Sequence, residues 1–304
     1  MRILLLGADG FLGRHAADTL RELPGATVLT GGRRAAHDLA VDLATADPGA
    51  LAERLRELSV DAVVNFAGAV AGSAVTLAEV NARGPAVLCE ALREGAPQVR
   101  LVHIGSAGEY GVCDEGDSLA ESAQARPVGV YGATKLAGSL AVAGSELDAV
   151  VLRVFNPVGP GSPAGSLPGR LAAELRRAGP AGVVRVGDLS AYRDFVDARD
   201  VARAVALTVV ADRPLPRVIN LGSGRARPVR AIADGLAAAA AFAGRIDESG
   251  AGSERSAAVS WQQADVSLAA AELDWKPEIP LADTLRDLWL STGPRGTEHG
   301  PGAA

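Results

Sequence analysis

The sequence predicts an α/β fold built on a doubly wound parallel sheet, followed by a smaller C-terminal lobe. Two observations carry this prediction. Short apolar runs of strand length alternate along the first half of the chain with longer segments of helical pattern, which is typical of βαβ units. The runs at residues 3–6 and 62–64 show no alternation of apolar with polar residues. Such strands are buried on both faces, as in a parallel sheet that is covered by helices.

The predicted elements follow one another along the chain. Strands are predicted in RILLLG, ATVLTG, DAVVNFAG, VRLVHIGS and VVLRVFN, with helices at residues 11–23 and in the stretch that ends near Arg93. After Asn156 the segment NPVGPGSPAGSLPGR is dense in glycine and proline, so it marks a boundary. Beyond it we expect a helix around residues 171–177, strand and helix patterns at 194–221, and an alanine-rich helix at 231–243.

The segment GADGFLG, residues 7–13, directly follows the first strand and opens the first helix. Its glycines allow a sharp turn and a close approach of backbone to a pyrophosphate, and the helix N-terminus offers N–H groups to the negative charge. In this context the pattern predicts a dinucleotide site in a Rossmann-like sheet. The residues assigned to it are Gly7, Asp9, Gly10, Phe11, Leu12 and Gly13.

The second strand ends in TGGRR, at the place where an acidic residue would bind the ribose hydroxyls of NAD. No carboxylate is present there, and Arg33 and Arg34 suit a 2′-phosphate instead. The sequence therefore favours NADPH as the cofactor, with NAD as the alternative. The same two arginines are also compatible with an exposed pair on a surface loop.

The chain has only two lysines, Lys135 and Lys276, among 30 basic residues. Lys135 follows Tyr131 by four residues in YGATK, so the two side chains share a face if the segment is helical. An adjacent ammonium stabilises a phenolate and lowers the pKa of a tyrosine from its ordinary value of about 10. A lysine does so from one compact position, which the planar guanidinium of an arginine would not match. Alone, this spacing is also that of an ordinary pair on a helix surface.

Ser106 follows the apolar strand LVHIG and so lies at the carboxyl edge of the sheet, where ligands bind in such folds. Its hydroxyl can hydrogen-bond a substrate carbonyl or alcohol and orient it toward Tyr131. A lone serine after a strand is more often a turn former or a helix cap. Ser106, Tyr131 and Lys135 together are more specific, and they predict a catalytic site around one nicotinamide.

With these motifs the chain resembles the extended short-chain dehydrogenase/reductase superfamily, in the NAD-dependent epimerase/dehydratase branch that acts on nucleotide sugars. The likeness covers nearly the whole chain. GADGFLG resembles the glycine motif of the family, NARGPAVLCEAL its asparagine-containing helix, and GSAGEYG with YGATK its catalytic Ser, Tyr and Lys. Four further segments resemble later motifs of the family: LRVFNPVGPG, YRDFVDARDVA, NLGSG and LDWKP.

The resemblance implies a role for each matching residue. Tyr131 is expected to be the acid/base, Lys135 to bind the ribose and the tyrosine, and Ser106 to hold the reacting oxygen. Substrate contacts are expected from Ser106, Ala107, Gly108, Asn156 and Arg193. Besides the glycine loop, the arginine pair, Tyr131 and Lys135, the expected cofactor contacts are Asp42, Leu43, Phe66, Ala67, Gly68 and Asn81.

Two departures from the family pattern narrow the expected reaction. Dehydratases carry an Asp-Glu pair directly after the catalytic Ser or Thr, because removal of water needs its own acid and base; here these positions are Ala107 and Gly108. Epimerases and dehydratases recycle a tightly held NAD, whereas Arg33 and Arg34 suggest a cofactor that arrives reduced and leaves oxidised.

We therefore expect an NADPH-dependent reductase of a 4-keto-6-deoxy nucleotide sugar, with dTDP as the expected nucleotide, in deoxysugar biosynthesis for a natural product. One alternative is a nucleotide-sugar epimerase with tightly bound NAD. The other is a sensor that binds NADPH and catalyses nothing.

Composition limits the other partners. The net charge is −6 and basic residues are nowhere clustered at length, which argues against nucleic acid. The histidines and cysteines show neither metal-ligand spacing nor a disulfide framework, so no metal is expected. The first apolar run is cut by Gly7 and is too short for a membrane span or a signal segment, so we expect a cytoplasmic protein. The family likeness implies a homodimer through helices that flank the sheet, including the helix of Tyr131.

These assignments also predict how the chain is divided. Residues 1–155, with about 193–221, are expected to form the dinucleotide-binding Rossmann domain. Residues 156–192 and 222–290 are expected to form the substrate-binding lobe. Residues 291–304, rich in glycine and proline with little to bury, are expected to be a disordered tail.

Overall fold

The computed structural model describes residues 1–250 and 259–293. Seven parallel strands form one sheet: β1 (Arg2–Leu6), β2 (Thr27–Gly32), β3 (Leu39–Ala40), β4 (Ala62–Asn65), β5 (Arg100–Ser106), β6 (Ala149–Val154) and β11 (Val218–Leu221). Their order across the sheet is β3-β2-β1-β4-β5-β6-β11. The order reverses between β1 and β4, as in a doubly wound sheet. The predicted Rossmann-like parallel sheet is confirmed.

Six short strands pair two by two outside this sheet: β7 (Pro157–Val158) with β10 (Val196–Asp197), β9 (Tyr192–Asp194) with β12 (Ala226–Pro228), and β8 (Val183–Arg185) with β13 (Arg245–Asp247). The helices are α1 (Phe11–Arg21), α2 (Pro48–Leu58), α3 (Ala74–Ala78), α4 (Gly84–Gly95), α5 (Gly129–Ala143), α6 (Leu167–Ala178), α7 (Ala198–Val210), α8 (Arg230–Ala239), α9 (Ser267–Leu273) and α10 (Leu281–Ser291). A π-helical turn, Glu79–Arg83, joins α3 to α4, and a 3₁₀ turn, Ala107–Glu109, follows β5.

Helices cover both faces of the sheet. Buried residues of α1, α7 and α9 form one core with the sheet, and those of α2, α4 and α5 form the other. The apolar residues of β1 alternate between these two cores, Ile3 and Leu5 in the first and Leu4 and Leu6 in the second. This two-sided burial explains why the strand reads as a continuous apolar run.

A separate core lies between α6, α8 and α10, where Leu175, Leu236 and Leu288 are each at most 2% exposed. Not all of the C-terminal segment packs there. Leu273 and Trp275 lie in the core on the α1 side of the sheet, although both were expected in the substrate-binding lobe.

The described part of the chain ends close to α10. Ser291 is the last residue of that helix, so the predicted tail does not begin at residue 291; residues 294–304 lie outside the described residues. Within residues 1–250 and 259–293, no helix has the length and apolarity to cross a membrane. The same residues contain no group of three or more His, Cys, Asp or Glu side chains placed to hold a metal ion.

Candidate active site

The loop between β1 and α1 depends on glycines that pack against backbone. Gly7 has a φ of +79°, in the left-handed region that other residues rarely adopt, and a Cβ there would lie 2.8 Å from the backbone nitrogen of Ala67. A Cβ at Gly13 would lie 2.1 Å from the carbonyl oxygen of Gly7. The glycine loop therefore packs tightly against α1 and against the loop after β4, at the point where the strand order reverses.

The N-terminus of α1 points to the same place. Gly10 is its N-cap residue, no side chain caps the helix, and the first turn contains no acidic residue. Phe11 and Leu12 form that turn and are partly exposed. Backbone N–H groups at such a terminus carry partial positive charge and bind phosphates. The loop and the helix terminus together fit the pyrophosphate of a dinucleotide.

The arginine pair after β2 lies beside the glycine loop. Arg33 and Arg34 are both exposed, and Arg34 Nη1 lies 3.4 Å from Asp9 Oδ2. The Nε2 of His37, a residue that the sequence did not single out as functional, lies 3.1 Å from the same carboxylate oxygen. An exposed ion pair is worth at most about 1 kcal/mol, so the contact with Asp9 leaves Arg34 able to turn to a phosphate.

Asp42 and Leu43, both predicted as cofactor contacts, follow β3 and differ in burial. Asp42 is exposed, and its carboxylate accepts a hydrogen bond from the N–H of Ala44 at 3.1 Å. Leu43 is buried in the core against α4, and its carbonyl accepts a hydrogen bond from Arg83 at 3.2 Å. Of the two side chains, only that of Asp42 faces solvent.

Asn81 braces the loop after β4, which continues from residues 66–68. Its Oδ1 accepts a hydrogen bond from the N–H of Ala69 and its Nδ2 donates to the carbonyl of Ala69, both at 2.8 Å. Nδ2 also donates to the Thr134 hydroxyl on α5 at 3.3 Å. Asn81 is 1% exposed. Asn81 stays a predicted cofactor contact, and its amide also fixes this loop against the Tyr131 helix.

The three predicted catalytic residues come together at the carboxyl edge of the sheet. Ser106 ends β5, Tyr131 lies in the first turn of α5, and Lys135 follows one turn later. Gly108 lies between the first two, because a Cβ there would be 3.4 Å from both the Ser106 hydroxyl oxygen and the Tyr131 ring. Such an arrangement can hold a substrate oxygen between a hydroxyl and a phenol.

The surroundings of Lys135 explain the choice of a lysine. The residue is 6% exposed, and its Nζ donates a hydrogen bond to the carbonyl of Ile104 at 2.6 Å. Burial lowers the pKa of Lys135, and the charge of Glu109 raises it. A slim stem that ends in a point charge fits this enclosed position, whereas the planar fork of an arginine would need more room and other partners.

The 3₁₀ turn Ala107–Glu109, which Ser106 caps, is called the serine turn. The predicted substrate residue Asn156 connects to it through a residue that the sequence did not reveal. Asn156 Nδ2 donates to the carbonyl of Asp194 at 2.9 Å and to Gln262 Oε1 at 3.2 Å. Gln262 Nε2 donates in turn to the carbonyl of Ala107 at 3.0 Å. Gln262 is 5% exposed and Ala107 3% exposed. The carbonyl of Ala107 therefore fixes this turn to Gln262, and Ala107 stays a predicted substrate contact.

Arg193, the other predicted substrate residue, is held by main-chain carbonyls. Its Nη1 donates to the carbonyl of Tyr192 at 2.7 Å and its Nη2 to that of Val259 at 2.5 Å. The residue is 9% exposed, and burial lowers the pKa of its guanidinium. No carboxylate among the described residues forms an ion pair with it within 4 Å, so its charge suits an anionic ligand.

A buried histidine beneath the site predicts how stability depends on pH. His103 is 0% exposed, and its Nδ1 accepts a hydrogen bond from Asn65 Nδ2 at 3.2 Å. Burial, with the nearby charge of Lys135, holds the pKa of His103 well below its ordinary value of 6.5. The unfolded chain therefore binds more protons than the folded chain below that value. We expect the free energy of unfolding to decrease as the pH is lowered below 6.5, by up to about 1.4 kcal/mol for each pH unit.

Urea unfolding between pH 7.5 and pH 5 measures this dependence. The variant His103→Gln offers Asn65 an amide oxygen and cannot take up a proton in this range. Its unfolding free energy should therefore depend less steeply on pH than that of the unaltered chain. If the unfolding free energies of the two proteins depend equally on pH, His103 does not contribute to the pH dependence of stability.

The chain is similar to known proteins along nearly its whole length. Residues 3–222 match the model of the NAD-dependent epimerase/dehydratase family. The chain is 37% identical over 309 residues to dTDP-6-deoxy-L-talose 4-dehydrogenase (NAD(P)(+)) from Kitasatospora kifunensis, with 96% of each chain covered. It is 28% identical over 305 residues to GDP-6-deoxy-D-mannose reductase from Pseudomonas aeruginosa, with 94% of this chain and 95% of that one covered.

A solved structure gives the same fold. UDP-glucose 4-epimerase from Thermus thermophilus in complex with NAD superposes with a TM-score of 0.80 and is 25% identical. The superposition covers 96% of this chain and 98% of that one.

Proposed function

The chain belongs to the NAD-dependent epimerase/dehydratase family, and from that premise we propose that it is an NADPH-dependent reductase of a 4-keto-6-deoxy nucleotide sugar, with dTDP as the expected nucleotide. The observation that carries the proposal is the grouping of Ser106, Tyr131 and buried Lys135, with no acidic residue at the two chain positions after the serine. Similarity to a 6-deoxytalose dehydrogenase and a 6-deoxymannose reductase supports a 6-deoxy sugar nucleotide as the substrate. We propose that this reaction serves deoxysugar biosynthesis.

In the proposed reaction the bound dinucleotide supplies the hydride that reaches the carbonyl carbon of the sugar. Tyr131 delivers its phenolic proton to the carbonyl oxygen, which Ser106 holds by a hydrogen bond. Lys135 keeps a positive charge beside the phenol and binds the ribose. The residues contribute mainly by fixing the reacting atoms and by stabilising the developing alkoxide in an enclosed site.

The two residues that follow Ser106 argue against a dehydratase. Ala107 and Gly108 occupy the places of the Asp-Glu pair of dehydratases, and neither can exchange a proton. The next acid along the chain, Glu109, is 0% exposed and pairs with Arg153 at 2.8 Å. A carboxylate committed in this way is a poor donor or acceptor for a substrate proton, so elimination of water lacks its catalysts at the serine turn.

The arginine pair supports NADPH over NADH and leads to a direct prediction. Replacing Arg33 and Arg34 by alanine removes charge-assisted contacts to a 2′-phosphate, which are worth about 1.5–3 kcal/mol each. We expect KM for NADPH to rise by about 10²- to 10⁴-fold when both contacts are lost, with KM for NADH little changed because NADH has no such phosphate. Steady-state kinetics with both cofactors measure the change. Equal changes in KM for NADPH and for NADH would show that Arg33 and Arg34 are an exposed surface pair that binds no phosphate.

Two other functions make different predictions. A nucleotide-sugar epimerase would carry tightly bound NAD through purification and need none added, as the epimerase relative solved with NAD suggests. A sensor would gain thermal stability with NADPH and turn over no sugar. The presence of Tyr131 and Lys135 together favours an enzyme.

The proposed activity is tested by following NADPH oxidation with dTDP-4-keto-6-deoxyglucose and its 2- and 3-deoxy derivatives, and with NADH in parallel. We expect oxidation that depends on the sugar and is faster with NADPH. Absence of oxidation in a protein that contains bound NAD would favour the epimerase.

The homodimer and the division into two lobes are part of the same proposal. Leu140 on α5 is 61% exposed, which is consistent with a partner on that helix, since large apolar side chains are enriched where subunits meet. Sedimentation of the purified chain measures the oligomeric state.

A further inference from the structure

The serine turn ends in a buried carboxylate, Glu109, that none of the roles described above uses. It is 0% exposed. Oε1 accepts hydrogen bonds from the backbone N–H of Ser106 and from the hydroxyl of Ser139, and Oε2 accepts one from Arg153 Nε, each at 2.8 Å. A buried carboxylate is tolerated only when it is paired and hydrogen-bonded, and Glu109 meets both conditions.

The partners of Glu109 lie on the three elements that build the catalytic site. Ser106 ends β5, Ser139 is on α5 one turn beyond Lys135, and Arg153 is on β6. One rigid group therefore sets the distance between the serine and the helix that carries Tyr131 and Lys135. A displacement of about 1 Å at a reacting group can lower a rate about 10²-fold, so this distance matters for turnover.

The charge of Glu109 matters for Lys135. The lysine is enclosed, and the partner that its Nζ reaches is a neutral carbonyl, that of Ile104. The titratable groups around it are Tyr131 on its own helix, His103 on β5, Arg153 on β6 and Glu109. His103 is buried and neutral, and Arg153 is a second cation. Glu109 lies close to this position: its Oε1 accepts from Ser139, one turn beyond Lys135, and would lie 2.8 Å from a Cβ at Gly105, the residue after Ile104. Burial lowers the pKa of Lys135, and the negative charge of Glu109 opposes that effect.

We propose that Glu109 is a positioning residue of the active site, whose carboxylate fixes Ser106 against the Tyr131 helix and supplies the negative charge that keeps Lys135 an ammonium. Its part in turnover rests on the proposed reductase function. Its part in the charge of Lys135 does not, because that charge is set by the folded chain alone. An experiment can therefore refute the role of Glu109 in turnover without refuting its role in the charge of Lys135, and the reverse.

The experiment uses the unusual lysine content of the chain. Lysine labelled with ¹³C at Cε gives two NMR signals, from Lys135 and Lys276, and each signal follows the protonation of its own ammonium. In Glu109→Gln the side chain keeps its shape and loses its charge. We expect the titration midpoint of Lys135 to move to lower pH and that of Lys276 to stay where it is, so Lys276 serves as an internal control.

Two further measurements separate charge from packing. Ser139→Ala removes a neutral donor to the carboxylate and leaves the charge of Glu109 in place, so the midpoint of Lys135 should move far less than in Glu109→Gln; kcat should fall by about 2- to 10-fold. Glu109→Gln should lower kcat by about 10²-fold at pH 7, with KM for the cofactor changed less, and should shift the pH profile of kcat. A loss of stability alone would leave the pH profile unchanged.

Definite results would overturn the proposal. An unchanged Lys135 titration in Glu109→Gln refutes the role in charge, whatever happens to activity. If that variant does not fold, the unaltered chain decides: Lys135 should be an ammonium at pH 7, and titration below neutrality would refute the proposal. A chain that oxidises no NADPH but shows the predicted shift in Lys135 would contradict the reductase and support the role of Glu109.

Discussion

Tyr131→Phe is expected to lower kcat by about 10²- to 10⁴-fold, the range that proton transfer by a positioned side chain contributes. Phenylalanine keeps the ring that packs against Gly108 and removes the proton that the phenol would give to the substrate oxygen. Affinity for NADPH should remain largely intact, because we assign the far end of the cofactor to the glycine loop and the arginine pair. Single-turnover kinetics and cofactor titration measure the two quantities separately.

Tyr192→Phe is the matched control. Its ring stacks on Trp261 at 5.2 Å between centroids, and it lies on β9 and is not one of the three predicted catalytic residues. Removal of its hydroxyl should leave kcat within about twofold of the unaltered chain. Near-full activity in Tyr131→Phe would mean that another group donates the proton.

Gly13→Ala is expected to abolish tight cofactor binding. The new Cβ would lie 2.1 Å from the carbonyl oxygen of Gly7 and 3.1 Å from Cα of Ala8, so the backbone of the glycine loop must move. Because this backbone forms the proposed cradle for the pyrophosphate, its displacement should raise Kd for NADPH by about 10- to 100-fold or more, a loss of about 1.4–2.8 kcal/mol of binding free energy. Fluorescence or calorimetric titration with NADPH measures the loss.

A glycine outside the site provides the control for this variant. Gly49 lies in the first turn of α2, and a Cβ there would meet only the carboxylate of Asp47 at 3.4 Å, an ordinary contact. Gly49→Ala should leave Kd unchanged and raise stability slightly, as alanine does in helices. Unchanged cofactor affinity in Gly13→Ala would contradict the assignment of the glycine loop as the dinucleotide site.

The sequence was most informative where one local pattern determines the structure. GADGFLG lies between β1 and α1 as predicted, because glycine spacing, strand and helix are all read from consecutive residues. The helix predicted at residues 11–23 is observed at Phe11–Arg21. YGATK lies on a helix with Tyr131 and Lys135 one turn apart, as the spacing requires.

The sequence was least informative where contacts join distant segments. Gln262 connects Asn156 to the serine turn across 106 and 155 residues of chain, and no local pattern marks such a residue. Glu109 lay inside the quoted motif GSAGEYG, yet its pairing with Arg153 depends on the register of β5 with β6. Asn81 and Ala107 stay predicted ligand contacts; their burial depends on α5 and on the C-terminal segment, which no local pattern places beside them.

The central claim is hydride transfer to the sugar, and isotope transfer tests it most directly. NADPH carrying deuterium at C4 of the nicotinamide, prepared separately with each of the two stereochemistries, is incubated with the chain and dTDP-4-keto-6-deoxyglucose, and the sugar product is analysed by mass spectrometry and NMR. We predict that one of the two preparations gives a 6-deoxy sugar nucleotide with a single deuterium at C4. A rearranged sugar without deuterium, formed with no NADPH consumed, would contradict the reductase and favour an epimerase.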